Sequence, residues 1–247
     1  EAIDLAQSPA EIAVLSAADS ELAVLDIRSG ASFLQPETQA LQDDDFSNPS
    51  YYRVNERPVV VLYITRTWNG FKSSMLDQVR EEVGENIFFI ADEPFIADQQ
   101  WPDKARNGVQ NGKPVFESYT TYNMFEDALV QEGESAKDFM FREGLPIFKR
   151  WSNETIFFPN VLPKYFDFRG HKRLTGDSAG LITQLKEFSC LRRPSWYNGS
   201  LPTMIFITTW NEWWEGSQVE PDLNGTYGFS FIDTLKEFKL AGKQCAK

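Results

Sequence analysis

Short apolar runs recur along the chain from residue 57 onward, and helical or polar segments separate them. Residues 58–64 form a continuous β-branched and aromatic run, which predicts a strand buried on both faces. Similar runs predict strands at 87–90, 115–122, 156–158 and 204–208, and apolar residues at helical spacing predict helices at 73–83, 179–188 and 231–240. Strands that alternate with helices indicate parallel βα units, so the pattern predicts an α/β fold.

The N-terminal segment lacks this alternation. Ser8-Pro9-Ala10-Glu11 matches a helix-capping signature with proline at the first helical position. Apolar residues follow it at Ile12, Val14 and Leu15, so this segment is predicted to be helical. Residues 1–50 as a whole are predicted to be helix and loop, without a strand.

Polar or aromatic residues follow each predicted strand at its C-terminal end. The segments are 65–68, 92–94, 121–123, 159–160 and 210–212. In a barrel of parallel strands, the loops after the strands form the active site. We therefore expect an α/β barrel of the (β/α)8 TIM type in which these segments surround one shared site.

Composition narrows the partners that the chain can have. Aromatic residues make up 14% of the 247 residues, which suits both a large core and sugar-stacking surfaces. The formal net charge is −12, and binding to nucleic acid or anionic membranes needs clusters of Lys and Arg, so neither partner is expected. No run of about 18 apolar residues occurs, so no membrane span is expected.

Cysteine and histidine are scarce in the sequence. Cys190, Cys245 and His171 are too few for a zinc site, and neither a Walker loop nor a dinucleotide-binding glycine loop occurs in the sequence. The cysteines either form one disulfide or remain two buried thiols. N-x-S/T sequons occur at Asn153, Asn198 and Asn224. Together they favour glycosylation and passage through the secretory pathway.

The stretch ITTWNEWWEGSQVEPD, residues 207–222, overlaps the end of the last predicted strand and carries paired glutamates among tryptophans. Glu212 and Glu215 are three positions apart, and a strict strand would send them to opposite faces. The chain must therefore leave β geometry near Trp213, and Gly216 allows the tight turn that brings both carboxylates together. The alternative is a solvated loop whose glutamates pair with surface cations.

The tryptophans favour a sugar-cleaving site over that solvated loop. Indoles lower the local dielectric, which can raise the pKa of a nearby carboxyl as an acid catalyst requires, and their faces can stack on sugar rings. Two carboxylates held about 5–10 Å apart are the working pair of glycoside hydrolysis. A Ser-His-Asp hydrolase is disfavoured because no G-x-S-x-G motif occurs.

The same stretch resembles the last-strand motif of glycoside hydrolase family 99, the endo-α-mannosidases and endo-α-mannanases, which reads approximately S-F-N-E-W-x-E-G-T-Q-I-E. The matching residues are Asn211, Glu212, Trp213, Glu215, Gly216, Gln218 and Glu220. Segments 48–64, 87–94, 116–125 and 156–173 resemble the family's fourth to seventh barrel strands in the same order. In the last of these the family's Pro-Gly-Tyr reads Pro163-Lys164-Tyr165.

This resemblance implies roles for particular residues. Glu215 would be the general acid/base, and Glu212 would act on the sugar's 2-hydroxyl in a retaining mechanism that passes through a 1,2-anhydro sugar. Substrate contacts are implied for Asn211, Trp213, Trp214, Gln218 and Tyr122. The substrate would be an internal α-1,2-linked mannose structure of an N-glycan or a mannan, and no cofactor is implied.

The family's barrel has eight strands, whereas this sequence is predicted to supply about strands 4 to 8 within one domain, residues 1–247. The first strands are expected on a second polypeptide, on a segment outside this sequence, or in a rebuilt N-terminal half. The sequons and the resemblance together imply a glycoprotein of the secretory lumen, such as the Golgi, or of the extracellular space.

Two functions remain open at this point. The first is a retaining endo-acting α-mannosidase-like hydrolase, which the presence of both Glu212 and Glu215 favours. The second is a catalytically inactive barrel that binds glycans or serves as a structural component of an extracellular glycoprotein assembly. The strands without a counterpart favour this second function.

Overall fold

The computed structural model describes residues 10–15, 46, 51–63, 65, 71–93, 109–110, 113–122, 130–166, 173–198, 201, 203–222 and 227–241. The chain divides into two compact units. One comprises residues 1–19, 95–97 and 122–247, and the other comprises residues 20–94 and 98–121. The single domain over residues 1–247 stays a prediction.

The elements of the described ranges confirm most of the predicted ones. The strands are β1 (Ala10–Leu15), β2 (Arg53–Val54), β3 (Arg57–Leu62), β4 (Phe88–Asp92), β5 (Val109–Gln110), β6 (Lys113–Pro114), β7 (Ser118–Thr120), β8 (Asn160–Val161), β9 (Tyr165–Phe166), β10 (Arg173–Leu174) and β11 (Thr203–Thr208). The helices are α1 (Ser74–Val83), α2 (Ala136–Phe139), α3 (Leu145–Glu154), α4 (Ser178–Phe188) and α5 (Ser230–Ala241). The helices predicted at 73–83, 179–188 and 231–240 are confirmed as α1, α4 and α5, while α2 and α3 were not predicted.

In the unit of residues 20–94 and 98–121, the main sheet has the order β2-β3-β4-β7. β3, β4 and β7 run parallel, as predicted, and β2 joins β3 antiparallel. Every residue of β4 is buried. In β3, however, Arg57, Val59 and Val61 are partly exposed, so the prediction of burial on both faces is wrong there. Successive side chains of a strand point to opposite faces, so alternate side chains of β3 lie on a face that is partly exposed to solvent.

Helix α1 packs through one apolar stripe in the same unit. Leu76, Val79 and Val83 are buried, at the spacing that places them on one helix face. Gly84 ends the helix in the left-handed region at φ 72°, and its N–H donates to the Arg80 carbonyl at 2.9 Å. A glycine tolerates this cap geometry without a Cβ penalty.

In the other unit, the main sheet has the order β1-β11-β8, and all its pairs are parallel. Ala10 lies opposite Thr203, and the register continues to Leu15 opposite Thr208. The helix predicted from the capping signature is therefore wrong, and so is the absence of a strand from residues 1–50. A capping signature is local, and pairing with β11 across the chain overrides it.

Strand β8 also differs from its predicted position. The apolar residues Phe157 and Phe158 are buried as expected, but the strand lies at Asn160–Val161, beyond the predicted 156–158. Phe157 packs against Phe148 of α3 at a ring-centroid distance of 5.0 Å. The contact with this helix helps to bury Phe157 ahead of the strand.

A π-helical turn, Met140–Gly144, joins α2 to α3. Pro146 stands in the first turn of α3, and its missing N–H cannot continue an α-helical ladder through this point. Helix α4 begins more regularly, because the Asp177 side chain accepts a hydrogen bond from the Gly180 N–H at 2.7 Å.

Candidate active site

The loop after β11 closes on itself through backbone hydrogen bonds. The Thr209 N–H donates to the Ser217 carbonyl at 3.1 Å, and the Val219 N–H donates to the Thr209 carbonyl at 3.0 Å. The Glu220 N–H donates to the Trp210 carbonyl at 2.8 Å. Because both arms of the loop are tied together, the residues at its tip are held in one conformation. We call residues 209–220 the β11 loop.

Glu212 is held by its backbone and by its side chain. Its N–H donates to the Thr209 hydroxyl at 2.9 Å, and its carbonyl accepts from the Ser217 N–H at 3.2 Å. Its carboxylate oxygen Oε1 accepts from the Trp214 N–H at 3.1 Å. The side chain is partly exposed, so a fixed carboxylate meets solvent at the tip of the loop.

Glu215 lies in the turn of residues 213–216, where the chain leaves β geometry as predicted. Gly216 closes this turn with a φ of 57°, and its N–H donates to the Trp213 carbonyl at 3.2 Å. The Glu215 carbonyl accepts from the Phe166 N–H at 2.6 Å, which ties the turn to β9. The carboxylate oxygen Oε2 of Glu215 is sealed from solvent, although the residue as a whole is partly exposed.

Two indoles stand at the same turn. Trp213 is 45% exposed, and its Nε1–H donates to Glu220 Oε2 at 2.8 Å, which fixes its orientation. Trp214 is 76% exposed. Large exposed aromatic faces beside a pair of carboxylates form the kind of surface on which sugar rings stack.

Behind the loop, Gln218 is only 4% exposed, and its side chain forms a hydrogen bond with Tyr227. The Tyr227 hydroxyl donates to the Glu220 carbonyl at 3.4 Å, and burial raises the pKa of this phenol. Lys164 Nζ lies 4.3 Å from the centroid of the Tyr227 ring. Burial lowers the pKa of the Lys164 ammonium, and the nearby Asp222 carboxylate opposes that shift. Lys164, which replaces the glycine of the family motif, therefore packs on Tyr227 next to the β11 loop.

Other polar residues predicted near the site lie in the β11 loop, after β7 and in β8. Asn211 is partly exposed in the β11 loop, and its carbonyl accepts from the Trp213 N–H at 2.9 Å. Tyr122 follows β7 and is partly exposed. Asn160 of β8 is fully buried and donates from Nδ2 to the Thr208 hydroxyl at 2.8 Å. Roles in substrate binding for Asn211, Tyr122 and Gln218 stay predictions, as does the convergence of all the strand ends on one site.

Sequence reasoning missed the residues that support the turn. Thr209 orients the Glu212 backbone, and Tyr227 braces Gln218 and Glu220. Glu220 belonged to the matched motif, but its bond to the Trp213 indole was not predicted. A threonine three residues before a glutamate resembles a capping pair, which is the one local signal that could have identified Thr209.

The structure describes some of the predicted glycosylation sites and one of the two cysteines. Asn153 and Asn198 are exposed, as acceptors of a glycan must be. Cys190 is disulfide-bonded, which favours the bridge over two thiols. Asn224, His171 and Cys245 lie outside the described residues.

Among the residues that the structure describes, no group of His, Cys, Asp and Glu side chains could hold a metal ion. None of the described helices has the length and apolar character that crossing a membrane requires.

No protein-family model and no curated protein matches the chain. Solved structures do match its fold. A glycoside hydrolase-like protein matches with a TM-score of 0.55 at 14% identity, over 85% of this chain and 62% of its own. The GH99 endo-α-mannosidase from Bacteroides thetaiotaomicron matches with a TM-score of 0.54 at 17% identity, over 85% of this chain and 62% of its own.

A second structure of that Bacteroides enzyme, in complex with BIS-TRIS propane, matches at a TM-score of 0.53 and 19% identity over 85% of this chain. This chain thus spans 62–66% of the length of the structures it matches. That it supplies strands 4 to 8 of a barrel stays a prediction. At these identities the likeness shows the fold alone, and that fold is TIM-barrel-like, of the kind seen in GH99 endo-α-mannosidases.

Proposed function

We propose that the chain is a retaining, endo-acting α-mannosidase-like glycoside hydrolase that uses Glu212 and Glu215. The observation that carries this proposal is the closed β11 loop, which holds both glutamates at one turn beside two exposed indoles. The likeness in fold to glycoside hydrolases supports the reaction class. The proposed substrates are internal α-mannosidic linkages of N-glycans or mannans, and the proposal requires no metal or cofactor.

In the proposed reaction, Glu215 protonates the leaving oxygen and later takes a proton from water. Its Oε2 is shielded from solvent, which suits a group that must exchange its proton with the substrate and not with bulk water. Glu212 removes the proton from the 2-hydroxyl, whose oxygen then attacks the anomeric carbon and forms a 1,2-anhydro sugar as the leaving group departs. The Trp214 N–H fixes the Glu212 carboxylate for that step. When water then attacks the anomeric carbon and gives its proton to Glu215, Glu212 returns its proton to the 2-oxygen.

The test is the rate of α-1,2-mannan cleavage by Glu212→Gln and Glu215→Gln. Each substitution is expected to lower kcat by about 10²–10⁴-fold while the circular dichroism spectrum and glycan binding persist. Glu237→Gln, an exposed substitution on α5, serves as the matched control and is expected to retain full activity. Cleavage by both site variants at the rate of the control would refute the assignment.

A substrate that lacks the 2-hydroxyl on the reacting mannose tests the role of Glu212 separately. The unsubstituted protein is expected to leave this substrate intact, because the 1,2-anhydro sugar cannot form without that oxygen. Cleavage with retention would instead indicate a glycosyl-enzyme intermediate, in which one carboxylate attacks the anomeric carbon.

The inactive glycan-binding barrel, alone or within an extracellular assembly, is the competing outcome. Binding of mannose-containing glycans without cleavage by the unsubstituted protein would support it.

We also propose that the barrel is completed by a second polypeptide or a further segment, since this chain spans 62% of the GH99 structure. A native mass above that of the denatured chain would support a second polypeptide. A location in the Golgi lumen or outside the cell is proposed from the sequons, with Asn153 and Asn198 both exposed.

A further inference from the structure

Trp196 is a large aromatic residue that the protein leaves uncovered. The residue is 59% exposed, in the segment between α4 and β11 and thus outside the β11 loop. An exposed indole that has no role in the core costs hydration free energy, and apolar groups in such positions often mark a contact surface.

The turn that carries Trp196 is fixed by its neighbours. The Tyr197 N–H donates to the Pro194 carbonyl at 3.0 Å, and the Tyr197 hydroxyl accepts from the Leu201 N–H at 2.8 Å. The Tyr197 ring meets the Trp196 ring edge-on, with centroids 6.2 Å apart and planes at 90°. The indole is therefore held in place before any partner binds, so binding would cost little side-chain entropy.

The sequon Asn198-Gly199-Ser200 begins two residues after Trp196, and the Asn198 side chain is exposed. We propose that Asn198 carries an N-glycan whose first sugar packs its C–H face on the Trp196 indole. In the transfer, Nδ2 of Asn198 displaces the diphosphate of a lipid-linked oligosaccharide at the anomeric carbon and loses one proton. The short tether gives the sugar a high effective concentration at the indole.

The chain contains an internal comparison for this inference. Trp151 precedes Asn153 by the same two residues, but the Trp151 side chain is fully buried within α3. A glycan on Asn153 therefore cannot pack on the Trp151 indole. The stabilising contact belongs to the Asn198 site and not to every sequon that follows a tryptophan. This inference rests on the proposed secretory location and not on the proposed activity.

The experiment uses the full chain produced in a eukaryotic secretory host, with Asn153→Gln and Asn224→Gln so that Asn198 is the remaining sequon. Mass spectrometry is expected to find one glycan. The glycosylated chain is expected to melt about 2–4 °C above the further variant Asn198→Gln. Trp196→Ala should remove most of that gain, and Trp196→Phe should retain most of it.

The control is a chain with a single glycan at Asn153, made by Asn198→Gln and Asn224→Gln. There Trp196→Ala should shift Tm no more than it does in the chain without glycans. Because Trp196 is exposed, its substitution is not expected to prevent folding. An unmodified Asn198, or a Trp196→Ala shift that is equal with and without the Asn198 glycan, overturns the proposal.

Discussion

Gly216 is the residue on which the geometry of the candidate site depends most directly. Its φ of 57° lies in the left-handed region, and a Cβ built on it would stand 3.0 Å from the Cβ of Phe166. Phe166 in turn donates its N–H to the carbonyl of Glu215. A side chain at position 216 would therefore push on the residue that holds the proposed acid/base in place.

We expect Gly216→Ala to lower the free energy of unfolding by about 1–2 kcal/mol from backbone strain, plus a further cost from the Phe166 contact. Gly133→Ala is the matched control, because Gly133 has a φ of 72° and nothing within 4 Å of its built Cβ. Denaturant unfolding measures both, and mannan cleavage should fall by about tenfold or more in Gly216→Ala alone. Equal unfolding free energies for the two variants would show that the Phe166 contact has no effect.

The turn that carries Glu215 was predictable from the sequence, whereas the residues that pack beside it were not. Glu212, Glu215 and Gly216 follow one another closely, so their spacing alone required the chain to leave the strand at Trp213. Lys164 and Tyr227 are remote in sequence from that turn and approach it only through the fold. No pattern within a short window could show that contact.

A salt bridge joins the loop before α2 to the π-helical turn that follows α2. Arg142, in the π-helical turn, donates from Nε and Nη2 to the two carboxylate oxygens of Glu134, both at 2.8 Å. The Glu134 side chain is only 6% exposed. The hydrogen bonds from Arg142 lower the pKa of Glu134 below its ordinary value of 4.5. The pair therefore anchors the loop before α2 to the turn after it.

This pair makes stability depend on pH. A lowered carboxyl pKa stabilises the folded state fully above the unfolded pKa of about 4.3, and the contribution is lost as pH falls through the lower folded value. Glu134→Gln should thus lower the unfolding free energy by about 1 kcal/mol at pH 7, with the difference vanishing in acid. Urea unfolding from pH 7 to pH 3 measures this. Glu187→Gln, which alters an exposed contact to Lys149, should have no measurable effect, and a pH-independent loss in Glu134→Gln would contradict the ion-pair explanation.

Elements were predictable where the determining contacts are local. Helices α1, α4 and α5 follow from apolar spacing within one segment, and each is found within one residue of its predicted bounds. The π-helical turn was not predicted, because its cause is the position of Pro146 within a helix that tertiary packing continues. Strand β8 was misplaced because the apolar run at 156–158 reflects packing against α3 as well as strand pairing, and Phe157 contacts Phe148 of that helix.

Across the whole molecule, the largest departure from the sequence-based expectation is the pairing of β1 with β11. The two strands are separated by almost the entire chain, yet Ala10 to Leu15 lie in parallel register with Thr203 to Thr208. The sequence resemblance predicts that β11 is the last strand of a barrel. Pairing between a first and a last strand is the connection that a closed barrel requires.

This pairing also bears on the candidate site. The β11 loop begins directly after β11, so a neighbouring strand on the edge of β11 limits the movement of the loop's base. An unpaired edge there would leave a row of backbone groups without ladder partners. The N-terminal strand is therefore expected to stabilise the segment that positions Glu212 and Glu215.

Hydrogen exchange followed by mass spectrometry tests the pairing. Amides of β1 that point toward β11 are expected to exchange slowly, on the timescale of β11 itself, whereas an unpaired N-terminal segment would exchange quickly. Two adjacent proline variants, Ile12→Pro and Ala13→Pro, sharpen the test. Only one of these positions can direct its N–H toward β11, so the proline at that position should weaken the β1–β11 pairing more than the other. If both variants match the unsubstituted protein in Tm and β1 exchanges as a free peptide does, the pairing is wrong.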